Sequence, residues 1–533
     1  MSERVFERAN QRYGAEGSLV HQYGDWMIWS TEGWCTSEAR AKPSPLILCS
    51  GPVCPAATVN NLPLVAASTV PEHSPTAELL VSGGDVVTMN PGREVLIGGT
   101  VAIAGDRIVD VGSTSALRAA HPDADVIDAA GCVVTPGLVD AHQHLTGDPL
   151  VRSCIPDLLK PGQSIFEWSV PLHGAHTAED DEVAATLTAV ECLRNGTTTV
   201  VEAGTVAHPD RVVKALESVG LRGTIGTWGW DIDGVPFSAP ASEVLDRQRE
   251  VLRRWPSGSL VEGWVTLVGH NLASDELLAG AADLAREAGV GMTMHISPTS
   301  SDPEAYLDRT GRRPLAHFHT LGVLGPHLLL AHAVWLDDEE IELVLGREVG
   351  IAYTPWAYLR LGQGVTQVGR HADIVERGGR VALGCDSSNA ADHHDVLKQA
   401  ALAAGIARDT RIDPTRFGAH QAFELATIRG AEAIGMGDRI GSLEPGKLAD
   451  VVVHDARTLD WTPRGDPALQ LVWGVDGRTV RDVIVGGRVV VRDRDLTTVD
   501  VEALRTDAAA AQRSLLQRTG ITVPHPWPHR SAE

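Results

Sequence analysis

His142 and His144 stand two residues apart in Val139-Asp140-Ala141-His142-Gln143-His144, after an apolar run. On an extended strand, residues i and i+2 point to the same side, so both imidazoles can reach one ion. A His-x-His pair alone is a weak signal, because histidines often sit on surfaces. This pair follows Thr135-Pro136-Gly137-Leu138 and closes what reads as a buried strand, the setting of a metal ligand. His295 in Met292-Thr293-Met294-His295, His332 in Leu330-Ala331-His332 and Asp386 in Leu383-Gly384-Cys385-Asp386 likewise end apolar runs. Each taken singly is compatible with a satisfied buried polar group. Collected at one end of one sheet, they suggest a shared site.

The elements that must hold these side chains follow from pattern. Over residues 132–438, buried-strand runs alternate with amphipathic helices, as in a parallel sheet. Candidate strands end near His142, Glu202, Trp228, His270, His295, His332, Tyr353 and Asp386. Eight βα units over roughly 300 residues fit a (β/α)8 TIM barrel, which builds its site at the carboxyl ends of its strands. One predicted helix has Ser274 as cap, Asp275 and Glu276 at its positive end, an apolar stripe of Leu277, Leu278, Ala281, Leu284 and Ala285, and Gly289 as terminator. Thr177 through Gly196 reads the same way, with Val183, Leu187 and Val190 facing inward.

Short β-branched runs separated by Gly-Gly or Gly-Asp turns fill residues 77–131, and a similar set returns in 439–495. They predict one small β-sandwich built from both chain ends, followed by a helical tail over 496–533. The opening segment, 1–76, mixes Trp26, Trp29, Trp34, prolines and three cysteines without periodicity. It reads as an atypical extension, loosely ordered or begun at too early a start codon, with a lid or an oligomer arm as the functional alternative.

Thr135-Pro-Gly-Leu-Val-Asp-Ala-His-Gln-His144 resembles the first-strand metal motif of the amidohydrolase superfamily. Gly311-Arg-Arg-Pro314, Leu321-Gly-Val-Leu-Gly-Pro-His327 and Gly441-Ser-Leu-Glu-Pro-Gly-Lys-Leu-Ala-Asp450 extend the similarity to the branch of cytosine and S-adenosylhomocysteine deaminases and s-triazine hydrolases. The resemblance spans residues 77–495 and implies a (β/α)8 barrel carrying a β-sandwich. It makes His142, His144, His295 and Asp386 the metal ligands, and Asp386 and His332 the catalytic residues. Asp386 would accept the proton of an activated water, and His332 would orient the nucleophile or stabilise charge on the substrate. His270, Tyr353, Trp228 and Asn389 are the candidate substrate contacts. Three imidazoles and a carboxylate suit one divalent ion with an open position, Zn²⁺ first, with Fe²⁺ or Co²⁺ as alternatives. The fourth strand, Val261–His270, lacks the lysine that bridges two ions in binuclear relatives, so a mononuclear site is expected.

Two departures bear on the reaction. The deaminases of this branch carry a glutamate three residues after the strand-five histidine, where His295-Ile296-Ser297-Pro298 has a proline that cannot move a proton. Glu304 and Glu202 are the nearest replacements, although each reads better as solvated or structural. Many relatives also have a histidine after strand seven, where this chain has Tyr353-Thr354-Pro355. His393-His394 follow Asp386 as loop residues. The leading expectation is an aminohydrolase, a deaminase of a small N-heterocycle. An amide, urea or carbamate hydrolase, or an s-triazine-type chlorohydrolase, could use the same site. A metal-free, non-catalytic scaffold is the reading from outside enzymology.

Composition narrows the partners. With 45 basic against 69 acidic residues the net charge is −24, which disfavours nucleic acid and anionic membranes. Seven cysteines, an odd number without a Cys-x-x-Cys pair, argue against a disulfide framework. Met1-Ser2-Glu3-Arg4 lacks the apolar core of a signal peptide, and the apolar run over 45–70 is broken by prolines. A cytoplasmic enzyme of a small-molecule substrate is expected, as a homo-oligomer (dimer or larger) by analogy with the family.

Overall fold

The computed structural model describes residues 76–530, and the tryptophans and cysteines singled out in the opening segment lie outside them. Strands from both ends of this span share one nine-stranded sheet. Its order is Asp495–Leu496, Arg488–Arg492, Val480–Val485, Val451–Asp455, Cys132–Pro136, Leu79–Val87, Val95–Ala104 and Arg107–Ser113, with Asp125–Asp128 also paired to Leu79–Val87. The two chain ends meet where Val451–Asp455 runs antiparallel to Cys132–Pro136, with Val453 opposite Val134. Val101, Ile103, Val134, Val451, Val453 and Ile484 form one apolar cluster, so the two halves bury their β-branched faces together. The composite sheet reaches to Pro136, a few residues past the expected boundary, before the chain turns at Gly137 into the next strand.

The expected parallel strands are present near their predicted ends. Leu138–Gln143, Thr197–Glu202, Arg222–Ile225 and Val261–Gly263 form a four-stranded sheet. Val265–Gly269, Met292–Ile296, Leu328–His332, Gly350–Tyr353 and Val381–Leu383 form a five-stranded one. The fourth predicted strand is thus divided at Trp264, whose amide donates to the Ile225 carbonyl at 2.9 Å. At the other seam the Asp386 amide donates to the His142 carbonyl at 2.8 Å. Among the described residues no ladder of paired strands joins the two sheets.

Period-two alternation sorts the side chains of these strands into two layers. Val139, Leu329, Ala352 and Ala382 pack with Ala431, Ile434 and Met436 in an inner cluster. Their neighbours Leu330, Ile351, Tyr353, Val381 and Leu383 pack outward against the helices, with Ile374 and Val396. The helix Asp275–Ala288 forms as its pattern requires. Ser274 accepts from the Leu277 amide, and Gly289 ends it in the left-handed conformation. Its buried Leu277 and Leu278 each contribute about 1.5–3 kcal/mol of transfer free energy. In Ala178–Arg194, capped by Thr177, the fully buried positions are Ala184, Ala185, Thr188, Ala189, Val190, Cys192 and Leu193 among others. Val183 and Leu187 are only half-buried, packing at the margin of the cluster that contains Ala185, Ala189 and Val190. The tail helix, Val501–Thr519, buries Leu504 and Leu515. No described helix is long and apolar enough to cross a membrane.

Candidate metal centre

The strand Leu138–Gln143 carries His142 and leads directly into His144, with an irregularity in its register against Thr197–Glu202 between Asp140 and Gln143. The irregularity is pinned from below. Asp140 accepts from the His142 amide at 3.2 Å and the Cys385 amide at 3.0 Å, locking the first strand to the segment that carries Asp386. Gln143 repeats the lock from the other side, donating to the Asp386 carbonyl at 3.0 Å while its amide oxygen meets His394 Nδ1 at 3.0 Å.

His270, Ser297, His332, Ala333 and Asp386 all adopt φ between 48° and 76°, at the carboxyl ends of four of the parallel strands. Side chains other than glycine pay roughly 1–3 kcal/mol each for such backbone, which persists where the surroundings impose it. For His332 the left-handed turn has a visible result. Strand alternation alone would send its ring outward beside Leu330, yet its centroid lies 5.3 Å from those of His142 and His295.

Five side chains converge. His295 Nε2 lies 3.3 Å from His144 Nε2, and Asp386 Oδ1 lies 3.5 Å from His144 Nε2 and 3.8 Å from His142 Nε2. His142, His144 and His295 form one group with donor atoms within 4.8 Å, and His142, His332 and Asp386 form another. Tetrahedral ligands at zinc bond lengths of about 2.0–2.1 Å sit roughly 3.4 Å apart, close to the spacings here. His142 makes the fit specific: it is 1% exposed, and neither ring nitrogen has a hydrogen-bond partner. A buried polar group left so is costly unless something else satisfies it.

Outer contacts aim the rings. His295 Nδ1 lies 2.7 Å from the Val268 carbonyl and must donate to it, which leaves the Nε2 lone pair for the centre. His144 Nδ1 meets Thr205 Oγ at 2.9 Å. Thr205 is itself held by Glu202, which accepts from the amides of Gly204 at 2.7 Å and Thr205 at 3.1 Å. Burial and the neighbouring imidazoles push His142, His295 and His332 well below the ordinary histidine range, and burial takes His144 down to about 4. All are neutral at pH 7, as ligation requires. Burial raises Asp386 to about 7.

The candidate substrate contacts divide. His270 stacks on His295, ring centroids 5.5 Å apart. Trp228 is buried against Trp230 and Phe237, centroids 4.9 Å and 5.5 Å away, with its indole N–H unpartnered. The residue after it must be glycine, since a Cβ at Gly229 would lie 2.2 Å from the Thr266 carbonyl oxygen. Asn389 is buried with both amide atoms unpartnered. Tyr353 is not brought to the centre. It alternates with the inward Ala352 and therefore stacks on His371, 4.1 Å away in the outer layer. Neither candidate replacement for the missing glutamate is free for proton transfer: Glu304 is exposed on its helix, and Glu202 is consumed by backbone amides.

Several residues of the site carried no readable signal. Asp302 accepts from His270 Nδ1 at 2.9 Å and from the Ser297 amide at 2.7 Å. His371 Nε2 donates to the His332 carbonyl at 2.7 Å. His394, which reads as a loop residue, is buried and hydrogen-bonded to Gln143. Each partner is distant in sequence from what it orients. The position of Gln143 between the two histidines was the one available hint.

Residues 133–490 match the amidohydrolase family, and residues 101–124 match a bacterial imidazolonepropionase-like composite domain. The chain is 32% identical over 433 residues to a 5-methylthioadenosine/S-adenosylhomocysteine deaminase from Syntrophobacter fumaroxidans, covering 80% of this chain and 96% of that one. It is 29% identical over 454 residues to a 5'-deoxyadenosine deaminase from Methanosarcina mazei, covering 83% and 99%. Among solved structures, an adenosine deaminase from Xanthomonas campestris with bound zinc superposes with a TM-score of 0.79 at 26% identity, covering 83% of this chain and 99% of that one.

Proposed function

The chain belongs to the amidohydrolase family and is a hydrolase of carbon–nitrogen bonds; on that premise we propose that it deaminates an amino-substituted N-heterocycle at one divalent metal ion. Zinc is the ion proposed, held by His142, His144, His295 and Asp386. The observation that carries the reading is the convergence of these donors on His142, a buried imidazole with no other partner. The proposal takes the two parallel sheets as halves of one (β/α)8 barrel and the nine-stranded sheet as the family's β-sandwich. It also carries forward a cytoplasmic homo-oligomer, which sizing of the purified protein tests.

Held by these residues, a divalent ion would supply its usual chemistry, bringing the pKa of water down to about 7. Asp386, a buried carboxylate beside His142 and His144, would hold the ion and is the group placed to accept a proton and return one to the departing nitrogen. His332, held through its carbonyl by His371, orients the attacking oxygen or bears charge developing on the substrate. His270, Trp228 and Asn389 bind the heterocycle, an aromatic face and unpartnered polar atoms suiting a planar ring that carries nitrogen. The names of the relatives make a 6-aminopurine nucleoside the first substrate class to try.

A specific observation favours a second reading. Pro298 occupies the position of the glutamate that protonates a ring nitrogen in the related deaminases, and Glu202 and Glu304 do not replace it. Hydrolysis of an amide, urea or carbamate needs water attack and protonation of one leaving nitrogen, which Asp386 can perform alone. Ammonia release from 5'-deoxyadenosine, S-adenosylhomocysteine, other aminated heterocycles, amides and ureas distinguishes the two. Activity must disappear with a chelator and return with Zn²⁺. Turnover confined to amides or ureas replaces the first reading with the second. A protein that binds no metal and turns over nothing is a scaffold.

A further inference from the structure

We infer that Asp302 is a positioning residue, which fixes His270 against the metal centre and ties two strand ends into one unit. This deepens the proposed hydrolytic reading and rests on it. Pro298 leaves the turn after the strand Met292–Ile296 without the acidic side chain of the related deaminases, and Asp302 restores a carboxylate to that turn from the next helix, Ser301–Thr310. It is buried and does not face solvent. A single oxygen, Oδ2, accepts from His270 Nδ1 at 2.9 Å and from the Ser297 amide at 2.7 Å. The two donors belong to neighbouring strand ends, and His270 and Ser297 are both left-handed, with φ of 53° and 48°.

The backbone is equally constrained. The His270 amide donates to the His295 carbonyl at 2.8 Å, and the Tyr306 hydroxyl donates to the His270 carbonyl at 3.0 Å. A Cβ at Gly269 would lie 2.1 Å from the His295 carbonyl oxygen, so only glycine brings the strands this close. With Nδ1 committed to Asp302, His270 has one ring nitrogen left, Nε2, for anything bound beside His295. The carboxylate thus selects both the ring's orientation and the atom it offers, as carboxylate–histidine pairs do around metal sites.

The test is a double-mutant cycle on the full, Zn²⁺-loaded chain: Asp302→Ala, His270→Ala and the double variant, each with bound metal and thermal midpoint measured. Each single change should lower kcat/KM by about 10–100-fold with metal content retained. The double variant should be no worse than His270→Ala, because the aspartate acts through that ring. Asp302→Asn, whose amide oxygen can accept both N–H groups, should keep most of the rate and should fold if the alanine variant does not. Losses that multiply would overturn the inference, as would Asp302→Asn falling to the level of Asp302→Ala. A readout independent of turnover separates this from the function itself: the His270 Nδ1–H proton should resonate at low field in the wild type and lose that shift in Asp302→Ala. If the wild type hydrolyses nothing, the functional reading fails while this resonance still decides on Asp302. Its absence from the wild type rejects the positioning role.

Discussion

The two ends of the parallel strands bury polar side chains in opposite ways. At the amino end, Arg222 and Asp450 form a buried pair through two hydrogen bonds of 3.0 Å and 3.1 Å, and the Gly486 amide adds a third to the carboxylate at 2.7 Å. In the adjoining composite sheet, Asp482 is met by Arg481 and the Asp493 amide, and His454 lies between Thr135 and Thr479. At the carboxyl end, His142 has no partner at either nitrogen, and Asp386 approaches imidazoles at 3.5 Å and 3.8 Å. The pair at the amino end is satisfied within the fold, whereas the imidazole at the carboxyl end has both nitrogens open toward the candidate centre. Burial alone does not separate the two, since Asp450 and Asp386 are 3% and 6% exposed.

Removing a partner should therefore have different consequences at each end. His142→Ala carries the largest expected effect on function. Metal content measured by elemental analysis should fall to near zero and hydrolysis to background, with the fold retained. Normal metal content would mean that the unpartnered imidazole is not a ligand. Arg222→Met should do the reverse, leaving metal in place while costing about 3–5 kcal/mol of stability, because Asp450 stays buried without its counter-charge. Denaturant unfolding reads that loss, and a change under 1 kcal/mol would erase the contrast between the ends.

A subtler test uses protons. Burial takes His454 down to about 3 from an ordinary value near 6.5. Between those values the unfolded chain binds a proton that the folded chain refuses, so stability falls as pH drops through that window and is insensitive above it. The slope from one such group is at most about 1.4 kcal/mol per pH unit. His454→Gln should flatten the decline of the thermal midpoint between pH 6 and 4. A slope unchanged from wild type would assign that decline to other histidines. The smallest effect belongs to the helix caps: Ser274→Ala should cost about 1 kcal/mol with activity unchanged.

Much of this architecture was legible in the chain. The parallel strands, nine because the fourth expected one is divided, end within a few residues of the positions that apolar runs indicated, since a strand buried on both faces must be almost wholly apolar. The caps at Ser274, Thr177 and Gly289 were legible because they depend on local backbone and one side chain. Tyr353 was misplaced because a strand end alone does not reveal which face a residue takes. His332, by contrast, reaches the centre only through a left-handed turn that its residue type does not announce.

The sequence by itself determined the residue types of the proposed ligands, the two-residue spacing of His142 and His144, and the order of strands that carries the other candidates, since these follow from local periodicity and side-chain chemistry. Tertiary structure alone decided which buried polar groups would be spent on one another. Glu202 went to backbone amides, Asp302 to His270 and Gln143 to His394, while His142 was left open. Apart from Glu202, whose amide partners are the nearby Gly204 and Thr205, those pairings join residues distant in sequence, and only the packed chain fixes who reaches whom.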